Sequence, residues 1–480
     1  MAAAASSGGI VGYFKDFKIL SENPREYWGI QAINFLDSAA YFAMLGIVTL
    51  FLKEDIGLDV KLTGYVMTAF TSLITVSLLF SGLAGDVLGI RKSLYISLIL
   101  KFALSLGIGI VALGKPFPGR AWVVTALLVM MAPFLAMIQT AFQAANVRYT
   151  TKRSRSAGFN LWYLFMNVGA AAGGYLIDFV HLTLKLKWTW VMMLPVVTSG
   201  LGLIAGVILI RHERQAQGPD ETKIVEQTDA EKAAEPKKGA IQIVREMLSQ
   251  SAFWRFLAVV VLLLGVRAVF VYMYLLMPHY WTEVLGKDAK IGLLNMINPI
   301  LIVVGLILFI PIANKFNIFK MLTYGAIISA LSLFTLLIPW RMLGTDFVKS
   351  YYTMSFLCMV VLSIGEVIWS PKLQEYTAAI APKGQEGTYL GMSMMPWFVA
   401  KMLVSSISGH MLKRWVPEGV GERMKLGVVE FWHRPEAMWL VLGIWALMGP
   451  ILAIIFQGWL TKGARWKSEE HGKDATEAAE

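Results

Sequence analysis

Four charged side chains lie where charge is most expensive to place. Asp37, Arg267, Glu366 and Lys401 each fall near the middle of a long apolar run. A charge at the centre of a lipid-spanning helix costs about 2.5–3.5 kcal/mol on insertion scales, so such groups pair with one another or face a wet cavity. Two of each sign allow pairing, and Glu366 with Lys401 is the expected pair because their runs are consecutive. The chemistry open to these groups is binding. A carboxylate takes a proton or an ammonium group, and a guanidinium takes a carboxylate. A fifth charge, Lys101, reads as lying nearer a helix end, from which it can snorkel, and is set aside. Polar stripes at helical spacing accompany the charges: Asn34, Asp37 and Tyr41; Gln139, Gln143 and Asn146; Asn160, Tyr163 and Asn167; Trp397, Lys401, Ser405 and Ser408. Each stripe occupies one helix face, and together they predict a shared aqueous cavity.

The elements that must hold these residues follow from composition. The chain has 480 residues, 56% hydrophobic and 16% charged, with a mean hydropathy of +0.60. A soluble protein carries about 25% charged residues, so this one lacks the polar surface to remain in water. Lipid offers no partner for backbone polar groups, and strand alternation is absent, so the runs read as helices. Twelve spans are expected, at 27–52, 62–86, 92–113, 120–147, 156–180, 187–211, 252–281, 290–313, 318–340, 351–379, 386–412 and 436–461. Between the sixth and seventh lies a charged, aromatic-poor stretch, and a short amphipathic segment at Ile241–Leu248 precedes span seven. The expected plan is an all-α membrane protein of two six-helix bundles. It comprises a cytoplasmic N-terminal segment (1–26), an N-terminal bundle (27–211), a cytoplasmic linker (212–250), a C-terminal bundle (251–462) and a cytoplasmic tail (463–480). An even number of spans puts both termini on one side, read as the cytoplasmic side of the cell membrane.

Several classes are excluded. The net charge of +11 is spread over short loops rather than one face, which argues for anionic lipid headgroups and against nucleic acid. Cys358 is the sole cysteine, so no intrachain disulfide forms. The six histidines show no metal-ligand spacing, no Walker-type phosphate loop occurs, and no HExxH motif points to an enzyme. No cofactor is expected, and a monomer suffices for a twelve-span carrier. Pro299, Pro371 and Pro396 each deprive a carbonyl one turn earlier of its helical partner, which predicts bending points in late spans.

Between spans two and three runs Gly82-Leu-Ala-Gly-Asp86-Val-Leu-Gly89-Ile-Arg91-Lys92. It resembles the GxxxD..GxRK signature of the major facilitator superfamily, whose loop gates alternating access. The second half carries a degraded echo from Pro311 through Asn314 and Lys315 to Lys320. Three further segments resemble the proton-dependent oligopeptide transporter family. Phe159-Asn160-Leu-Trp162-Tyr163 through Asn167 and Gly169 is similar to its FYxxINxG signature, Asn298-Pro299 to its NPxxI segment, and Gly365-Glu366 through Ser370-Pro371 to its GExxxSP segment.

That resemblance implies the twelve-helix fold of the superfamily and an amine-recognising pole made by Asn167, Asn298 and Glu366. Tyr41, Trp162, Tyr163, Trp369 and Trp397 are candidates for apolar walls and cation–π faces. The opposite pole departs from the family. The helix-one ExxER motif falls at Asn34-Phe-Leu-Asp37-Ser38, with one carboxylate and no arginine, and the family's helix-four lysine falls near Gln139. Either the substrate needs no free carboxylate at that place, or Arg267 or Lys401 replaces the missing cation. The expected function is proton-coupled secondary transport of a small peptide or other amine-bearing solute, with Asp37 and Glu366 as coupling carboxylates. The alternatives are a carrier of another amine, drug or lysolipid by uniport or antiport, and a transporter-like receptor.

Overall fold

The computed structural model describes residues 18–151, 154–211, 249–313, 316–380 and 395–462, and among them there is no strand. A helix occupies each of the twelve expected positions. These are α1 (Arg25–Leu50), α2 (Val60–Leu88), α3 (Ile90–Leu113), α4 (Arg120–Arg148), α5 (Arg155–Asp178) and α6 (Trp188–Met192, continued by Leu194–Leu209). The second half has α7 (Ser251–Leu262, continued by Leu264–Leu275), α8 (Ile291–Ala313), α9 (Ile318–Leu331), α10 (Phe347–Ile380), α11 (Met395–Trp415) and α12 (Pro435–Ile455). Ten of these segments are long and apolar enough to cross a membrane; α2 and α11 are not among the ten. The amphipathic segment Ile241–Leu248, most of the linker, the tail, the first 17 residues and the start expected for span eleven lie outside the described residues.

Local chemistry sets the boundaries. Pro24 precedes α1, Pro195 begins the longer part of α6 and Pro435 opens α12, places where a missing N–H costs nothing. Gly89 separates α2 from α3 at φ 79°, a left-handed conformation that glycine adopts without strain. The Asn317 side chain accepts from the Lys320 N–H and caps α9, as expected of an N-cap asparagine. Pro371 lies inside a continuous α10 rather than ending it.

Each half packs mainly on itself. In the first, α1 lies against α5 and α6, α4 against α2 and α3, and α3 against α6; in the second, α10 lies against α8 and α9, and α7 against α11 and α12. The halves meet along α2 with α11 and α5 with α8.

The end of the bundle away from the termini is sealed by contacts between the halves. Lys53 meets Glu283 at 2.7 Å. The Asp178 carboxylate, at the end of α5, accepts from the Gly292 and Leu293 N–H groups at 2.7 Å each, and so caps α8 from the opposite half. This is the favourable place for an anion, since the first N–H groups of a helix lack internal partners. Thr71 and Ser405 share a 2.9 Å hydrogen bond deeper in the seam. Gly292 touches Gly174 so closely that a Cβ built on it lies 2.0 Å from the Gly174 carbonyl oxygen. At the termini end, by contrast, Gln143 and Asn160 are exposed. Among the described residues, the Lys53–Glu283 ion pair between the halves and the Asp178 cap on α8 both lie at the end away from the termini.

Gly292→Ala is therefore expected to block this closure. The neighbour is backbone, which cannot step aside as a flexible side chain would. Cysteine labelling at Lys53→Cys should rise, and substrate flux should fall by at least about tenfold; unchanged labelling would count against the seal.

Candidate substrate and ion site

The expected site residues converge midway along the halves, and α10 carries the acid. One Glu366 carboxylate oxygen accepts from the Asn298 amide of α8 at 3.0 Å, and the same amide donates to Ser363 at 3.1 Å. The contact pins the carboxylate, because the amide's two N–H groups are both used. Arg267 of α7 and Tyr163 of α5 lie within electrostatic range of Glu366. Tyr163 packs against Ile302, Leu306 and Val367, so a residue of the first half rests on α8 and α10 of the second. Asn167, one turn further along α5, is 7% exposed, and its amide donates to the Tyr163 carbonyl at 2.9 Å.

The cations alternate with aromatic rings. Lys401 donates to the Tyr41 hydroxyl at 3.2 Å and stands 4.9 Å from the centre of the Trp397 ring. The Arg267 guanidinium carbon lies 5.9 Å from Trp397 and 4.5 Å from Trp369. Trp369 is fully buried and anchored by its indole N–H to Ser329 at 3.1 Å. The row Tyr41, Lys401, Trp397, Arg267, Trp369 thus joins α1 to α11, α7 and α10. Ring faces stabilise cations that would otherwise be poorly solvated here.

Two expectations are corrected. Glu366 and Lys401 do not form an ion pair, because Lys401 reaches across to Tyr41. Lys101 does not snorkel: it lies halfway along α3, too far from either end, and pairs with Asp37 of α1, each side chain only 2% exposed. That contact neutralises Lys101 and encloses Asp37 inside the first half. The second Asp37 oxygen has no hydrogen-bond partner.

Trp162 sits roughly 100° around α5 from Tyr163 and packs into the core of the first half with Ile138, Phe142 and Leu161; its carbonyl accepts from Asn34 at 3.0 Å. It is not part of the row of rings. Gln139 is half-buried on α4, and Asn146 of the same stripe is taken by Gln31 at 3.0 Å. In the loop motif, Arg91 donates to Tyr95 at 3.2 Å and to the Arg211 carbonyl at 3.3 Å, both in its own half, while Lys92 is exposed. Gly82 and Asp86 belong to the last turns of α2, and their side chains lie outside the described residues.

Sequence reasoning missed the seal at the far end. Its residues, Lys53, Asp178 and Glu283, lie near span ends and form no motif. Beside it lies a pocket of about 560 Å³ lined by Lys53, Lys61, His279, Lys413 and Glu418 among others, separate from the central residues.

Known proteins share this fold. The profile of the Major Facilitator Superfamily matches residues 30–405. The puromycin resistance protein of Streptomyces alboniger is 28% identical over 198 residues, 40% of this chain and 37% of that protein. Among solved structures, a peptide transporter POT in complex with sulfate superposes with a TM-score of 0.70 at 15% identity, covering 94% of this chain and 99% of that one. A POT family transporter in complex with 5-aminolevulinic acid gives 0.67 at 16% identity, covering 92% and 97%. A D-xylose-proton symporter gives 0.66 at 13% identity, covering 92% and 99%.

Proposed function

Because the chain belongs to the major facilitator superfamily, a family of multi-pass membrane transporters, we propose that it is a proton-coupled symporter of small amine-bearing solutes, of which short peptides are the first class to test. The observation that carries this reading is the pinned Glu366 carboxylate. It stands at the meeting of α5, α7, α8 and α10, held by Asn298 at 3.0 Å and faced by Tyr163 and Arg267. When protonated, Glu366 can still accept from a substrate ammonium group through its carbonyl oxygen, so proton and substrate ride together and no ATP is required. Asn298 and Asn167 offer amide groups to the same ammonium, while Tyr163 and Trp397 supply flanking rings. Alternating access exchanges the seal of Lys53–Glu283, Asp178–α8 and Thr71–Ser405 for closure at the termini end. With both termini in the cytoplasm of a cell-membrane protein, the sealed end faces outward.

Uptake of labelled dialanine into proteoliposomes, with and without an inward proton gradient, tests the reading. Gradient-driven accumulation is expected. No uptake by folded, inserted protein would remove the peptide assignment.

A second reading, efflux of a drug-like solute by antiport, is supported by the similarity to the puromycin resistance protein. It predicts gradient-driven puromycin movement in the opposite direction, in the same vesicles.

Breaking the Lys53–Glu283 bridge has a milder expected result. Both groups are partly exposed, with side-chain accessibilities of 22% and 12%; such bridges contribute about 0–1 kcal/mol when solvated. Glu283→Gln should shift the balance of open and closed populations up to about fivefold, read by the rate of cysteine labelling at the seam, with the fold's stability unchanged.

A further inference from the structure

We propose that Arg267 is the anion-binding pole of the central site, and that the substrate is a small zwitterion whose carboxylate docks on this guanidinium while its ammonium group meets Glu366. The inference rests on the amine-binding reading above and adds the second pole.

A guanidinium carries five N–H donors and accepts none. Arg267 lies over Trp369 at 4.5 Å, with Trp397 at 5.9 Å. Ring faces satisfy its charge but not its donors, which lie in the guanidinium plane and point along its edges. Among the described residues it has no hydrogen-bond acceptor and no ion-pair partner within 4.0 Å, and its Nε is buried without an acceptor. Donors so placed are available to an oxygen of a bound molecule.

The nearest acid does not supply that oxygen. Glu366 is within electrostatic range of Arg267, yet its carboxylate bonds to Asn298 and no salt bridge closes the gap. Opposite charges of one cavity are thus held apart, each with bonding capacity left over. Such an arrangement fits a molecule that carries both charges itself. The two groups share one neighbourhood: Arg267 lies over Trp369, one turn along α10 from Glu366, and feels the Glu366 charge, so a small molecule carrying both charges can meet both.

Lys101 is spent on Asp37, with both side chains 2% exposed, and Gln139 is neutral. A carboxylate entering the cavity is therefore read in the second half. Arginine suits the task better than lysine would, because its fork matches the two oxygens of a carboxylate.

The test is binding of three probes to purified protein by calorimetry: dialanine, dialanine amide with its carboxyl blocked, and N-acetyl-dialanine with its amine blocked. The wild type should bind dialanine at least about tenfold more tightly than the amide, the loss expected for a charge-assisted hydrogen bond. In Arg267→Gln the two affinities should fall within about twofold of each other, through loss of dialanine binding alone. Arg267→Lys, which keeps the charge, should retain part of the preference, and it provides the readout if Arg267→Gln does not fold. Equal binding of dialanine and its amide by the wild type overturns the proposal, as does a tenfold preference that survives Arg267→Gln. Tight binding of N-acetyl-dialanine instead removes the amine pole at Glu366. Failure of all three probes removes the peptide reading and this inference together.

Discussion

Glu366→Gln should reduce proton-driven uptake of dialanine by about 100-fold or more. The glutamine keeps the size of the side chain and can still bond to Asn298, so the geometry at 3.0 Å is conserved while the charge is lost. Two effects then combine. A hydrogen bond to a charged group contributes about 1.5–3 kcal/mol, so losing the ammonium contact alone lowers affinity by about tenfold to a hundredfold. Losing the titrating group also removes the proton from the cycle, so an imposed gradient no longer drives accumulation. Exchange of external for internal dialanine, which needs no net proton movement, separates the two. Exchange that survives in Glu366→Gln assigns the carboxylate to protons only; exchange that disappears with uptake assigns it to the ammonium group. Gradient-driven accumulation by the variant at wild-type rates would remove Glu366 from the mechanism.

The second large effect concerns Asp37 and Lys101. Removing one partner of a buried ion pair leaves the other charge uncompensated, which typically destabilises by about 3–5 kcal/mol. Lys101→Met should therefore lower stability by that order, measured by SDS titration of the purified protein in mixed micelles. Asp37→Asn should do likewise. The double variant, Asp37→Asn with Lys101→Met, should recover most of the loss, because two neutral groups of similar volume need no pairing. If the double variant is as unstable as the sum of the singles, the pair is not what holds α1 to α3. The same double variant decides whether Asp37 takes part in coupling: gradient-driven uptake that persists in it confines the pair to a structural role.

Much of this architecture was legible from the chain, for reasons that are physical. Long apolar runs can only be spanning helices in lipid, so the twelve helix positions and the all-helical class follow directly. The expense of buried charge marked Asp37, Arg267, Glu366 and Lys401, and the structure brings the last three to one region. What sequence does not carry is which helix faces which. Glu366 and Lys401 lie on consecutive helices, but the lysine turns to Tyr41 on the opposite half, 360 residues away. Lys101 was misplaced for a related reason. Its position halfway along α3 is tolerable only because Asp37 waits on α1, 64 residues earlier. Trp162 and Tyr163 are neighbours in sequence, yet one packs into the core of its half and the other touches the opposite half, since adjacent residues on a helix point apart. The seal was least legible, because Asp178 acts on backbone N–H groups that no residue type advertises.

The enclosed pair of Asp37 and Lys101 also has an electrical meaning. Moving one elementary charge through the membrane potential exchanges about 2.3 kcal/mol per 100 mV. Opposite charges in contact within one half travel together as a dipole, and their net displacement of charge is zero. Translated together, the pair carries no net charge through the field, and only a change in its tilt couples to voltage. Glu366 differs, because its charge is cancelled whenever a proton or an ammonium group sits on it. On the proposed function, the current carried by each turnover is expected to report the occupant of Glu366.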